Sequence, residues 1–159
     1  MFHDDGPLLA AGRGALAGAI ATLAMSVLML AARALRLTPQ LPPARITREA
    51  TEAVAGEAPA DEEEAALTSA VHVGFGAAAG ALFGVLHRSL GRSGTWSAAA
   101  LGVAYASIVY LVSYQGWVPA LRILPPASRD DPGRVLTMVA AHWVYGATLG
   151  AVAELLRRR

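Results

Sequence analysis

Cysteine and lysine are both missing from this chain of 159 residues. Without cysteine, disulfides, thiolate metal sites and cysteine nucleophiles are excluded. All 13 basic side chains are arginines, and the formal net charge of +1 gives no reason to expect nucleic-acid binding. Charged residues are scarce, at 16% of the chain against about 25% in soluble domains. This shortage indicates that lipid is the solvent for much of the surface.

Signatures of enzymes are missing as well. The sequence has no Gly-x-Ser-x-Gly elbow, no His-Glu-x-x-His helix, no Walker loop and no dinucleotide-binding fingerprint. The acidic run at 61–64 is typical of a solvated helix start rather than of a metal site. We therefore expect a protein that is not an enzyme and that holds no metal ion.

Long apolar runs are what the chain does contain. Segments 15–35, 65–86, 97–118 and 135–156 each reach the roughly 20 residues that cross a bilayer core. A soluble helical bundle is the rival interpretation, but these segments lack the polar face that a soluble helix presents to water. The small-x-small triplet at 32–34 raises a cleaved signal peptide as a rival for the first segment. Its apolar run is too long for a signal core and its leader is acidic, so we expect a retained helix after a polar arm at 1–13.

The second and fourth segments share one design. Seven residues recur 70 positions later with the same identity: Asp61, His72, Gly76, Ala77, Gly80, Ala81 and Arg88 return as Asp131, His142, Gly146, Ala147, Gly150, Ala151 and Arg158. A Leu-Pro-Pro loop precedes each of these helices, at 41–43 and at 124–126. Two helices per half predict parallel repeats, related by a pseudo-twofold axis along the membrane normal.

The predicted fold is therefore an all-α, four-helix transmembrane bundle built from two parallel two-helix repeats. It forms a single domain over 1–159, with repeat one at about 14–88 and repeat two at about 95–158. The loop at 38–61 contains an amphipathic stretch at 44–56, which is either a helix on the membrane interface or a solvated helical loop. Asp61 and Asp131 are the predicted N-caps of the helices that follow the loops.

Rows of small residues at four-residue spacing occur in all four segments. Such rows let helix backbones approach closely in lipid, where no hydrophobic force draws helices together. The glycines that we expect at helix contacts are Gly18, Gly76, Gly80, Gly84, Gly102, Gly146 and Gly150. They predict a tightly packed bundle, and the same rows are also suited to a homodimer.

His72 and His142 each lie four residues before a packing glycine, so each shares a helix face with glycine and points into protein. Each lies about 15 Å along its helix from the Pro-loop side, which places both imidazoles at one depth. In the structural interpretation they bond to polar groups of neighbouring helices, the candidates being Tyr105, Ser107, Tyr110, Ser113 and Tyr114.

Two functional interpretations of the histidines stay open. Two imidazoles at equal depth suit axial ligation of a haem or chlorin beside glycine. Alternatively, the histidines line a proton or solute path with Thr22, Ser26 and Glu154. A metal ion is disfavoured because two histidines supply only two ligands and Glu154 lies three turns away. Glu154 also has an ordinary role as the i,i+4 partner of Arg158.

Three segments carry a resemblance to known proteins: the His72-x-x-x-Gly76-Ala77-x-x-Gly80 motif, the Leu-Pro-Pro loop at 124–126 and the His142-Trp143-x-Tyr145-Gly146 run. The chain resembles small bacterial inner-membrane proteins of the YagU-like kind, which implies a bacterial inner membrane. Six and seven arginines on the two sides leave the orientation undecided, but the acid-poor second loop and the Arg tail favour cytoplasmic termini. We expect an accessory or structural subunit of a larger membrane assembly, or a homo-oligomer.

Overall fold

The computed structural model describes residues 6–38, 42–56, 60–90 and 94–158. Within these ranges all regular elements are helices. In chain order they are α1 (Pro7–Ala34), α2 (Pro42–Ala55), α3 (Asp61–Ser89), α4 (Thr95–Val112), a π-helical turn (Ser113–Trp117), α5 (Val118–Ala120), a 3₁₀ turn (Ala127–Arg129) and α6 (Pro132–Arg157). Position 41 of the predicted Leu-Pro-Pro loop and positions 1–5 of the predicted arm at 1–13 lie outside the described residues.

Four of these units are long and apolar enough to cross a membrane: α1, α3, the continuous run from α4 through α5, and α6. Their spans of 26 to 28 residues confirm the predicted all-α, four-helix fold of a multi-pass membrane protein. The first helix begins earlier than predicted. Pro7 occupies its first turn, where a missing N–H costs nothing, and residues 7–13 are therefore helical rather than a polar arm.

The closest contact in the bundle joins α1 to α3 through glycine. A Cβ added to Gly18 would lie closer than 3.0 Å to the carbonyl oxygen of Gly76, and one added to Gly80 would lie equally close to the backbone of Gly14. Gly84 meets Ala10 in the same way. The order of the pairs runs in opposite directions along the two helices, so α1 and α3 are antiparallel.

A second contact of the same kind joins α4 to α6. Gly102 faces Gly146 with backbone against backbone, and Gly150 faces Ala98. Since no atom larger than hydrogen fits at these glycines, the two helix pairs approach as closely as main chains allow. The two pairs then pack together through extensive contacts between α1 and α6. Buried small residues of both helices, including Ala17, Ala21, Ala141 and Ala153, belong to the common hydrophobic core.

The remaining seam, between α3 and α4, is nearly open. Contacts between α3 and α4 are few. In the predicted two-repeat arrangement this pair corresponds to α6 and α1, which pack together extensively. Tyr105 of α4 bridges the seam, because its hydroxyl donates to the carbonyl oxygen of Ala79 at 2.8 Å and its ring lies 5.3 Å from that of Phe83. On the Pro-loop side of this bridge the helices leave a cavity.

The helices that begin each half also end alike. Past α1, Arg36 has φ +57°, and the N–H groups of Arg36 and Leu37 return to the carbonyls of Arg33 and Ala32. After α5, Arg122 has φ +61°. The N–H groups of residues 122 and 123 donate to the carbonyl oxygens of residues 119 and 118, in the same pattern as after α1. Both are Schellman caps with an arginine in the left-handed region. These paired caps and the paired glycine contacts support the two-repeat organisation, which stays a prediction.

The loop between α1 and α3 contains helix α2, which packs on α3. Thr47 is buried, and Arg48 forms an ion pair with Glu64 at the start of α3. Of the two predicted caps, Asp131 lies at the N-cap of α6 and accepts from the N–H of Arg134 at 2.9 Å. At α3 the N-cap is Ala60 rather than Asp61, because the N–H of Glu64 already bonds to the Ala60 carbonyl. Asp61 is thus the first helical residue.

Two glycines of α1 offer a matched test of the backbone contact. Gly18 is in backbone contact with α3, whereas Gly12 has no atom within 4 Å of an added Cβ. We expect Gly18→Ala to lower the free energy of unfolding by about 1–3 kcal/mol, because the helices must separate. Gly12→Ala should leave stability unchanged or raise it by up to about 1 kcal/mol, since alanine is the better helix former. Unfolding of both variants in mild detergent measures the difference. Equal effects at the two positions would contradict the backbone contact.

Candidate functional site: a cavity with two histidines

The cavity lies between α3 and α4, on the Pro-loop side of the Tyr105 bridge, and measures about 140 Å³. Helices α1 and α6 form its back wall through Met25, Met29 and Met138, while Ile46 and Thr47 of α2 close its end. Phe75 and Trp117 stand at the opening and are partly exposed. The opening therefore faces sideways, toward the acyl chains of a bilayer.

His72 and His142 both line this cavity. His142 has a fixed tautomer. Its Nδ1 lies 2.7 Å from the carbonyl oxygen of Met138, and because a carbonyl can only accept, Nδ1 carries the proton and donates it. A neutral imidazole that donates from Nδ1 presents a lone pair at Nε2. The ring is held edge-on by Tyr110, with 5.3 Å between the ring centroids.

His72 occupies the equivalent place in the first half. Its Nδ1 lies 3.5 Å from Oγ of Ser26 on α1, a long hydrogen bond. Ser26 and Tyr110 contact the histidines from corresponding positions on α1 and α4. Of the partners that the sequence suggested, Tyr110 makes a ring contact with His142, whereas Ser107 and Ser113 donate to carbonyls four residues before them.

The cavity wall is otherwise almost entirely apolar. Its lining residues in the described chain include no acidic residue and no arginine. One further polar atom stands out: the hydroxyl of Thr68 is buried in this wall and has no hydrogen-bond partner among the described residues. Buried polar groups are normally satisfied, so this hydroxyl is an exception in the described structure.

Tyr145 closes the inner end of the cavity. It is buried, and its hydroxyl donates to the carbonyl oxygen of Gly76 at 2.7 Å, which joins α6 to α3. Beyond Tyr145 the interior is filled by Phe83 and Leu149, both essentially inaccessible. This bond stabilises a membrane bundle, because the buried hydroxyl needs an acceptor and the carbonyl of the neighbouring helix has a second lone pair to offer.

The π-helical turn shapes the outer wall, and nothing in the sequence pattern predicted it. This turn brings Ser113, Tyr114 and Trp117 to the cavity, and Tyr114 donates to Asp130 at 2.5 Å. Asp130 also pairs with Arg134, so the start of α6 is tied to the end of α4. The methionines of α1 were also missed. Met25 and Met29 lie three and seven residues after Thr22, which places all three on one helix face. This spacing is the sequence signal that would have predicted the two methionines as lining residues.

The other predicted polar residue, Glu154, is not part of this cavity. It lies twelve residues after His142 on α6, about 18 Å along the helix. It accepts from Arg158 at 3.0 Å, as predicted, and also from Arg157 at 2.6 Å. His87, which the sequence analysis did not consider, approaches it at 3.8 Å. In the described ranges, no group of three or more histidine and carboxylate side chains is placed to hold a metal ion.

Comparison with protein families identifies one match, which covers residues 9–159 and is described as a family of unknown function, DUF6789. The chain belongs to the DUF6789 family. The match includes both histidines and all four membrane-spanning helices, so the cavity lies wholly within the segment that defines the family. No curated protein and no solved structure matches the chain.

Tyr145→Phe tests the clamp between α6 and α3. The variant removes one interhelical hydrogen bond and leaves the ring in place, so we expect the free energy of unfolding to fall by about 0.6–1.7 kcal/mol. Trp143→Phe is the control, because Trp143 lies two residues away on the same helix and is exposed to lipid. Unfolding in mild detergent compares the two. A loss no larger for Tyr145→Phe than for Trp143→Phe would count against the clamp.

Proposed function

We propose that this membrane protein is a non-enzymatic accessory protein that binds a lipid-soluble molecule carrying a hydroxyl group. The observation that carries the proposal is the fixed tautomer of His142, whose Nε2 lone pair belongs to a residue lining an apolar cavity. A lone pair needs a donor, and a hydroxyl is the donor that enters from lipid at the least cost of desolvation.

The size of the cavity limits the ligand. A volume of about 140 Å³ is close to that of the engineered cavity of about 150 Å³ that binds benzene, and below the roughly 300 Å³ of sites for drug-sized ligands. The cavity thus fits a ring or a short branched head group. A longer apolar tail leaves through the opening beside Phe75 and Trp117 and stays in the bilayer. Phenols, quinols and small lipid alcohols belong to this class.

A haem or chlorin fits the site less well. The donor atoms suit it, because a histidine that donates from Nδ1 to a carbonyl is the usual arrangement of a metal-ligating imidazole. The space does not, since a macrocycle exceeds the cavity and requires α3 and α4 to separate at the Tyr105 bridge. The lining residues of the described chain also offer no arginine to anionic substituents.

A proton or solute path through one copy is disfavoured by packing. Between Tyr145 and Glu154 the interior is filled by Phe83 and Leu149, which are almost completely buried. The glycine contacts leave no gap between the paired helices. Any path from the histidines to Glu154 must therefore run between copies. This blocked interior is what favours a binding role over conduction.

We place the protein in a bacterial inner membrane with both termini cytoplasmic, supported by the likeness to YagU-like proteins and by the arginine tail. The accessory role, in a larger membrane assembly or a homo-oligomer, is supported by the outward faces of α3 and α4. Only 22% of their most apolar windows is buried, against 39% for α1 and α6, which leaves the side with the opening available to a neighbour.

Phenol and toluene form a matched pair of probes, equal in shape and different only in the hydroxyl. We expect the protein in mild detergent to prefer phenol over toluene, once partitioning into detergent is subtracted, by about 3- to 10-fold through one buried hydrogen bond. His142→Ala should abolish the preference while still binding both rings. Calorimetric titration of wild type and variant measures it, and partitioning cancels in the comparison. A preference that survives His142→Ala would overturn the role of His142.

A second pair of variants tests the location. Ala79→Phe fills the cavity, whereas Ala78→Phe adds the same ring to the lipid-facing side of the same turn. We expect the first to abolish binding of both probes and the second to leave it intact. Binding that is equally lost or equally kept in the two variants would contradict binding between α3 and α4. An absorption spectrum of the purified protein reads out a haem or chlorin in the same sample.

A further inference from the structure

The proposed hydroxyl site uses one polar side chain of the cavity, His142, and leaves the sulfur atoms of the cavity without a role. Beyond the first residue the chain has three methionines, Met25, Met29 and Met138, and all three are buried and line this cavity. Methionine is a common filler of irregular cores, but the rest of this core is filled by alanine, leucine and aromatic side chains. Packing alone therefore does not explain why every internal methionine lies at one cavity.

The three methionines lie at neighbouring depths in the bundle. Gly18 of α1 and the hydroxyl of Tyr145 of α6 both meet Gly76 of α3, which sets a common level for the three helices. Met25 lies seven residues after Gly18, and Met138 lies seven residues before Tyr145. Seven residues of helix measure about 10 Å, so both methionines lie that far from the common level, on the Pro-loop side. The remaining methionine of α1 lies one turn further on.

The directions of the side chains bring the sulfur atoms together. Long side chains of a helix point back toward its N-terminus. Helix α1 ends at the Pro-loop side, whereas α3 and α6 begin there, so side chains of α1 lean toward those of the other two helices along the bundle axis. Met25 and Met29 thus approach Met138 and His72 from the opposite direction, at one level of the cavity.

His72 adds a nitrogen to the three sulfur atoms. Its Nδ1 lies 3.5 Å from Oγ of Ser26, the residue next to Met25. In the tautomer in which Nδ1 donates to Ser26, Nε2 carries a lone pair. Metal-ligating imidazoles have this arrangement, with one ring nitrogen donating to an acceptor of the protein and the other on the metal.

We propose that the thioethers of Met25, Met29 and Met138 and the imidazole of His72 bind a Cu(I) ion. Thioethers are soft ligands that select Cu(I), and imidazole binds copper as well. Histidines and carboxylates alone form no group of three in the described ranges, which disfavours Zn²⁺ and other ions that need such ligands. An ion of one charge is also the least costly to hold here, because the lining residues of the described chain include no carboxylate to balance a second charge.

The ion site goes beyond the proposed hydroxyl site and does not rest on it. Nε2 of His142 stays with the hydroxyl of the lipid-soluble ligand, whereas the ion uses the three methionines of the back wall and His72. Each site therefore has its own residues, and a variant of one leaves the ligands of the other in place.

Equilibrium binding of Cu(I) to the full chain in mild detergent tests the proposal. Cu(I) is supplied without oxygen, with ascorbate as the reductant and bicinchoninate as a coloured competing chelator. We expect the combined variant Met25→Leu, Met29→Leu and Met138→Leu to lose at least about 100-fold in affinity, since groups that only orient a ligand are already worth 10- to 100-fold. His72→Ala should lose about tenfold or more for the same reason. Leucine conserves the apolar volume of methionine, so the bundle should still fold.

Two further variants are the controls. His3→Ala removes an imidazole outside the described residues and should leave the affinity for Cu(I) unchanged. His142→Ala should abolish the preference for phenol over toluene and keep Cu(I), whereas the methionine variant should do the reverse. Unchanged affinity in the methionine variant, an equal loss in His3→Ala, or displacement of Cu(I) by Zn²⁺ at equal concentration would each overturn the ion site, whatever the result with phenol.

X-ray absorption at the copper edge decides the question in the wild type, should the methionine variant not fold. The chain has no cysteine, so any sulfur of the protein beside the ion belongs to a methionine. We expect sulfur to form the majority of the nearest neighbours of the ion. A spectrum that contains only nitrogen and oxygen neighbours would contradict the proposal.

Discussion

The structure depends on main-chain contact between helices at glycine. At Gly18 and Gly80 on one pair of helices, and at Gly102 and Gly146 on the other, no space remains for a methyl group. In water such helices would associate by burying apolar side chains, but in lipid the side chains gain nothing by leaving the acyl chains. Dispersion between closely packed backbones takes that role, and it is available only where the side chain is a hydrogen atom.

The cavity follows from how these contacts are distributed. The pairs α1–α3 and α4–α6 are each joined along glycines, and α1 packs along α6. Helices α3 and α4 have no contact of glycine against glycine, and they meet instead through the rings of Tyr105 and Phe83. Large aromatic side chains hold them apart, and the space beyond the aromatic contact is the cavity in which His72 and His142 lie. A bundle with four equal seams would have no such space.

Much of this arrangement was predictable from the sequence, because helix geometry converts spacing into position. Four residues between His142 and Gly146 fix a common face, and ten residues from the helix start fix a depth. The spans followed from apolar length alone. Sequence spacing does not reveal which seams close, since that depends on the side chains of two helices at once. For this reason the cavity, the bond from Tyr145 to Gly76 and the approach of His87 to Glu154 were not predicted.

Local backbone features account for the remaining differences. The π-helical turn at 113–117 shifts the register of the helix by a fraction of a turn, which sequence periodicity does not reveal. The N-cap at Ala60 instead of Asp61 reflects a helix start decided by one hydrogen bond, from the N–H of Glu64. Neither difference moves a histidine away from the face on which spacing had placed it.

The central claim is tested most directly by contacts between glycines of different helices. In bilayers, protein labelled with ¹³C at the carbonyl and Cα positions of glycine alone reports these contacts by solid-state NMR without any substitution. The account predicts cross peaks that join Gly18 to Gly76 and Gly80, and Gly102 to Gly146. Spectra that contain only contacts within single helices would contradict it.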